Sequence, residues 1–180
     1  MKSSLRHSTV NIAVTAVFTA LIAVSTFFSF PLPSGVPVTL QTLAVALAGY
    51  CLGIKRGIPA VLAYLMLGLV GAPVFSGFNS GVAVLVGKTG GFIVGFISLA
   101  AACALAGEIR NKALQIAVGE AGLLLCHLTG VLWFAYLTET GFWAAAVAVS
   151  LPFLLKDALC VAGAMLLSLK LKKVIGKAIK

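Results

Sequence analysis

The chain has 180 residues, of which 61% are hydrophobic and 9% are charged, and its formal net charge is +9. Soluble globular domains carry about 25% charged residues, so this composition excludes that class and indicates one integral membrane domain over residues 1–180. The basic residues lie at the ends of apolar runs and not on one polar face. They therefore indicate membrane topology in a lipid bilayer and argue against nucleic acid as a partner.

Apolar segments follow one another along the chain and predict a bundle of six transmembrane helices, since about 20 apolar residues cross the hydrocarbon core. In chain order they cover approximately residues 10–30, 43–53, 58–71, 90–106, 113–137 and 142–169. The fold class expected from this pattern is an all-α membrane protein. Pro152 lies inside the last segment and is expected to kink or break it.

The connections between these segments carry very unequal numbers of basic residues. Only Lys88 and Glu139 are charged in the loops on one side. The other side has eleven bases, namely Lys2, Arg6, Lys55, Arg56, Arg110, Lys112 and the five lysines of residues 170–180. The positive-inside rule then predicts cytoplasmic N and C termini and a multi-pass protein of the cell membrane.

Two of the predicted helices carry residues that a simple membrane span does not need. Ala16 and Ala20 form a small-residue step on one face of the first, which suits either a partner helix or internal packing. Glu120 and His127 share a face of the fifth, because seven residues make nearly two turns. Such groups usually face the bundle interior, so either an internal hydrogen-bonded pair or a proton relay is expected.

The connection between the third and fourth predicted helices, residues 71–92, contains six glycines. Irregular backbone at membrane depth is tolerated only where protein buries it or where it lines a cavity. This stretch therefore predicts a Gly-rich outer loop that shapes a pocket, and a plain surface connection is the alternative.

Few polar side chains are available on the side of the Gly-rich loop. Together they suit a small uncharged head group with N–H and C=O edges and an anionic tail: Gln41, Asn79, Lys88, Lys156 and Asp157. Apolar walls for such a ligand are expected from Phe75, Phe78 and Phe92. No phosphate-loop, metalloprotease or serine-hydrolase motif occurs, and the four cysteines are isolated, so no metal, cofactor or catalytic residue is expected.

Several short motifs, in this order, resemble the BioY family, the biotin-specific substrate-binding (S) components of energy-coupling factor (ECF) transporters. The resemblance covers about residues 10–170. Its motifs are Pro31-Leu-Pro33, Pro37-Val-Thr-Leu-Gln-Thr42, Gly71-Ala-Pro-Val-Phe75, Gly87-Lys-Thr-Gly-Gly-Phe92 and Pro152-Phe-Leu-Leu-Lys-Asp157. It implies a subunit without catalysis of its own that captures biotin from outside. A coupling transmembrane protein and two ATPase subunits would then drive delivery inward.

The resemblance also implies roles for individual residues. Asn79 and Asp157 match the family's contacts to the ureido ring of biotin, and Ala16 and Ala20 match the face that docks on the coupling protein. The family usually has proline where this chain has Lys88. It often has lysine where this chain has Cys160.

Those two departures leave both Lys88 and Lys156 as candidates for binding the ligand tail.

Two other functions are alternatives. One is an S-component for a different vitamin, because specificity lies in a few side chains. The other is an intramembrane enzyme that uses Glu120 and His127 as acid and base.

Overall fold

The computed structural model describes residues 2–179, with side chains described for residues 9–176. These residues form eight α-helices, one 3-10 turn and one pair of short strands. The helices are α1 (Lys2–Ser25), α2 (Gln41–Leu52), α3 (Ile54–Leu69), α4 (Val82–Val86), α5 (Gly90–Ala106), α6 (Lys112–Thr138), α7 (Phe142–Val149) and α8 (Leu151–Ile179). The expectation of an all-α protein is confirmed.

The first helix ends at Ser25, five residues before the predicted end. The Ser25 hydroxyl donates to the Ile22 carbonyl at 2.6 Å and that of Thr26 donates to the Ala23 carbonyl at 2.7 Å. Side-chain hydroxyls that take the last helical carbonyls compete with continuation of the helix. The chain then forms the antiparallel strands β1 (Ser29–Phe30) and β2 (Val38–Thr39). Residues 26–40, which include both strands, are named L1.

Gly53 alone separates α2 from α3. Its φ of +67° lies in the left-handed region, which glycine adopts without the steric cost that a Cβ would bring. As a result α3 begins at Ile54, earlier than the sequence predicted. Lys55 and Arg56, expected in a basic turn, lie in the first turn of this helix.

The break predicted near Pro152 is confirmed. It divides the last apolar segment into α7 and α8, with Ser150 between them. Proline has no backbone N–H, so it is tolerated in the first turn of a helix, where that donor would be unpaired anyway. The Ser150 carbonyl accepts from the N–H groups of both Phe153 and Leu154 at 3.0 Å and so starts α8.

The Gly-rich connection, residues 70–89, is named L3 and contains local structure that the sequence pattern did not predict. Residues Ser76–Phe78 form a 3-10 turn, and α4 begins after three further residues. Gly77 and Phe78 have φ values of +72° and +60°. A left-handed phenylalanine is uncommon and indicates a backbone held by its surroundings.

Small residues allow α5 and α6 to approach closely. A Cβ on Gly95 would lie 2.9 Å from the Cys126 sulfur, and one on Gly91 would meet Thr129 and Trp133.

An apolar cluster joins L1 to α6, α7 and α8 through Val36, Val131, Phe134, Ala145, Val149 and Phe153. L1 is therefore fixed against the helices at the same end of the bundle as L3.

The outer surface of the helices is apolar. Val17, Leu124 and Leu155 are 64%, 57% and 75% exposed. Within residues 2–179, α6 and residues Leu151–Gly176 of α8 are long and apolar enough to cross a membrane, and Thr9–Ser25, Gln41–Leu52 and Gly90–Ala106 are shorter apolar helices. Large apolar side chains facing outward on several helices fit a lipid environment.

Candidate functional site: a cavity between L1, L3 and the helix ends

A cavity of about 560 Å³ opens at the end of the bundle where L1 and L3 lie. Its walls come from these two connections and from α2, α5, α6, α7 and α8. Seven of the eight residues expected at a ligand site line it, and they are Gln41, Phe78, Asn79, Lys88, Phe92, Lys156 and Asp157.

Phe75 is the exception among the predicted ligand residues. Its side chain is fully buried, and its ring meets that of Tyr64 edge-on with 5.6 Å between centroids. A Cβ on Gly68 would collide with the same ring. Phe75 therefore fastens L3 to α3 and does not line the cavity.

Asp157 is the buried charge of the cavity, with 5% of its surface exposed. Its Oδ1 lies 2.5 Å from Lys156 Nζ and its Oδ2 lies 3.4 Å from His127 Nε2. Lys156 Nζ also donates to the Thr39 carbonyl at 2.7 Å, which ties α8 to β2. Oδ1 is buried against the Lys156 ammonium group. A carboxylate has about four acceptor positions, so Asp157, which lines the cavity, can also accept an N–H from a ligand.

His127 lines the cavity and was not predicted to do so. Its Nδ1 lies 2.9 Å from Ser150 Oγ, and its ring meets Phe92 edge-on at 5.7 Å between centroids. The expected hydrogen-bonded pair with Glu120 does not form among the described residues. The two share a face of α6, but seven residues of helix separate them by about 10 Å along the axis. His127 instead turns to Asp157 on α8.

Gln41 finds the partners that its position at the start of α2 requires. Its Oε1 accepts from Ser76 Oγ at 3.0 Å and from Thr39 Oγ1 at 3.1 Å, and its Nε2 donates to Tyr64 Oη at 2.6 Å. One buried amide thus joins L1, L3, α2 and α3. Most of its hydrogen-bonding capacity is used within the protein.

The exposed L3 side chains at the edge of the cavity make contacts within L3 and with L1. Asn79 is exposed, and its Nδ2 donates to the Ser76 carbonyl at 2.8 Å. Phe78 stacks on Phe27 of L1 with 5.0 Å between ring centroids and 25° between planes. This aromatic pair brings L1 and L3 together at the edge of the cavity.

Lys88 lies at the junction of L3 and α5. The carbonyl of the preceding Gly87 accepts from Trp133 Nε1 at 2.9 Å, which anchors the backbone to α6. A Cβ on Gly35 would lie 3.4 Å from Lys88 Cδ and 3.8 Å from Nζ, so the side chain runs along L1. Among residues 9–176 no carboxylate lies within 4.0 Å of this ammonium group.

Ala16 and Ala20 lie elsewhere, in a groove between α1 and α3. Both are exposed, so they do not pack inside the bundle. The groove also contains Lys55, Arg56 and Pro59. Its surface is open to a partner helix.

Comparison with known proteins shows the family of this chain. The sequence model of the BioY family matches residues 1–177. The biotin transporter BioY of Thermotoga maritima is 40% identical over 87% of this chain and 92% of its own length. The probable biotin transporter BioY of Pyrococcus horikoshii is 37% identical over 89% and 95%, respectively. This chain belongs to the BioY family.

A solved structure has a similar fold. A crystal structure at 2.1 Å of the S-component for biotin from an ECF-type ABC transporter matches with a TM-score of 0.83. The match covers 91% of this chain and 90% of the other at 24% sequence identity, which shows a shared S-component fold. BioY relatives are transporters and not enzymes, and the protein is a membrane protein.

Proposed function

We propose that this chain is an S-component that binds biotin at the cavity between L1 and L3 and delivers it with an ATP-driven ECF module. The observation that carries this proposal is the buried carboxylate of Asp157 in the lining of the cavity, in a chain 40% identical to a biotin transporter. The cavity of about 560 Å³ is within the range of roughly 300–1,000 Å³ usual for small-molecule sites.

The chemistry of biotin suits the lining of the cavity. Its ureido ring offers N–H donors and a carbonyl, its thioether ring is apolar, and its tail ends in a carboxylate. Asp157 accepts a ureido N–H, and Asn79 donates to the ureido carbonyl. Phe92, Phe78 and Phe153 supply apolar surface for the remainder, while Gln41 holds the two connections in place.

The proposed topology has α1, α2, α3, α5, α6 and the α7–α8 pair as six passes through the plasma membrane, in a single domain over residues 1–180. Met1 and Lys180 lie outside the described residues. Lys55, Arg56 and Arg110 lie at the end opposite the cavity, where Lys172 Nζ also binds the Gly107 carbonyl at 2.8 Å. By the positive-inside rule that end and both termini are cytoplasmic, so the cavity and the Gly-rich L3 face outward.

The proposed partners are a coupling transmembrane protein and two ATPase subunits, with no cofactor in this chain. The groove of Ala16 and Ala20 is the proposed docking face. Its small exposed residues allow a helix of the coupling protein to approach α1 closely.

Direct binding tests the proposal. The purified chain in detergent or nanodiscs is titrated with biotin, and intrinsic fluorescence and melting temperature are followed. Trp133 contacts L3 and is a natural reporter. Biotin at one hundred times its Kd is expected to stabilise the fold by about 2.7 kcal/mol. Riboflavin, thiamine and folate serve as controls, and stabilisation by one of them without an effect of biotin would contradict the proposal.

A further inference from the structure

The cavity contains more positive than negative charge. Its lining includes the ammonium groups of Lys88 and Lys156 and the carboxylate of Asp157. Among these three groups one positive charge is therefore not compensated. A ligand with one negative charge would neutralise the net charge of these groups. The arrangement of the two lysines decides where the negative charge of the ligand lies.

Lys156 is already committed within the protein. Its Nζ lies 2.5 Å from Asp157 Oδ1 and donates to the Thr39 carbonyl at 2.7 Å. Turning this ammonium group toward a ligand carboxylate would remove the cation beside a buried aspartate. An uncompensated buried charge is strongly unfavourable, so Lys156 is better placed as a partner of Asp157.

Lys88 is in the opposite situation. It is exposed, it lines the cavity, and among the described side chains no carboxylate lies within 4.0 Å of it. Its backbone is anchored by the Trp133–Gly87 hydrogen bond, while its side chain lies along Gly35 of L1. Phe92 and His127, whose rings are in contact, connect the start of α5 to the site of Asp157.

We propose that Lys88, and not Lys156, binds the carboxylate of the ligand, so that the ligand lies with its polar ring at Asp157 and its acid group between L1 and L3. The inference rests on the proposed biotin function. It adds the orientation of biotin in the cavity and a reason for the protein to prefer the free acid to an uncharged derivative. Because Lys88 is exposed, solvent screens the contact and limits its strength.

Comparison of biotin with its neutral primary amide, biotinamide, isolates this contact, because the two differ only at the tail. We expect the unaltered chain to bind biotin roughly two- to fivefold more tightly than the amide, the range usual for an exposed, screened ion pair. In Lys88→Met, biotin and the amide should bind about equally well, with amide binding nearly unchanged. Lys88→Arg should retain much of the preference for biotin. The preference of the unaltered chain should weaken as the salt concentration rises.

Two further variants complete the experiment. Lys173→Met removes the same charge from an exposed position on α8 at the far end of the bundle, and it should keep the full preference. Lys156→Met should weaken biotin and amide alike, because it disturbs Asp157. Unfolding without ligand verifies that each variant is folded, and Lys88→Gln replaces Lys88→Met if the latter is not.

The outcomes separate the two hypotheses. A preference that survives Lys88→Met, or one that only Lys156→Met abolishes, overturns the assignment of Lys88. Equal binding of biotin and amide by the unaltered chain overturns it as well. If the unaltered chain binds neither compound, the proposed function itself fails.

Discussion

The two halves of the cavity are built differently. The helical half, on α6 and α8, holds the buried residues Asp157 and His127 in one network with Ser150 and Lys156, and the contacts of His127 join positions distant in sequence. The L3 half presents Asn79 and Phe78, both exposed and tied mainly to their own turn or to L1. The proposed binding chemistry therefore lies on packed helices, and we expect the exposed residues of L3 at the edge of the cavity to move more easily.

This division has a physical reason. A buried acceptor must be held in place by partners, since a buried charge without them is costly. A loop that admits a ligand must open at small cost, and glycine at φ values of +72° and +84° (Gly77 and Gly81) gives L3 backbone freedom that other residues lack. Variants in the helical half should therefore change affinity most, and variants in L3 should change affinity less and dynamics more.

The largest effect is expected from Asp157→Asn. The substitution keeps the shape and removes the charged acceptor, and hydrogen bonds to charged groups contribute about 1.5–3 kcal/mol. Biotin affinity should fall by roughly one to two orders of magnitude, measured by fluorescence titration. Glu108→Gln, at an exposed acid between α5 and α6, is the matched control and should bind as the unaltered chain does. Unchanged binding by Asp157→Asn would remove this residue from the site.

His127→Ala should have the next largest effect, a loss of roughly tenfold in biotin affinity. His127 acts through Asp157, which it holds from α6, so His127→Gln should restore part of the loss. A double-mutant cycle distinguishes positioning from general destabilisation. The His127 substitution should cost much less in an Asp157→Asn background, and equal costs in both backgrounds would show that the two residues act independently.

The sequence contains strong signals for the charged members of the site. Asp157, Lys156 and Lys88 are ionisable groups in or beside apolar segments, and such groups are functional candidates by default. The limits of α5 and the break at Pro152 also follow from local sequence, because glycine and proline act on the backbone where they occur.

Other features depend on contacts that local patterns do not encode. The partner of His127 lies on another helix, thirty residues further along the chain, whereas the spacing on one helix face predicts Glu120. Phe75 and Phe92 both flank the Gly-rich connection, and only tertiary contacts determine that the first lies in the core and the second lines the cavity. Two-residue strands such as β1 and β2 are too short to show a period-two pattern.

The L3 half is tested by Asn79→Ala. Loss of a hydrogen bond at an exposed amide should weaken biotin binding by roughly two- to fivefold, less than either change in the helical half. The clearer readout is hydrogen exchange across residues 74–90, which should slow when biotin is added. Exchange in residues 107–111, the connection at the opposite end, should stay the same. Equal exchange of L3 with and without biotin, in a sample that binds it, would mean that this loop is a fixed wall.

The smallest effect on biotin is expected at the groove of Ala16 and Ala20, which belongs to neither half of the cavity. Ala16→Leu or Ala20→Leu should leave binding by the isolated chain unchanged and prevent assembly with the ECF module, because a branched side chain keeps the partner helix at a distance. Ala13→Leu makes the same change at an exposed position of α1 outside the groove, and it should assemble normally. Co-purification with the coupling protein and biotin titration, measured on the same preparations, separate the two activities. A loss of both in Ala16→Leu would show that this face of α1 supports the cavity as well as the complex, and the independence of binding and docking would have to be abandoned.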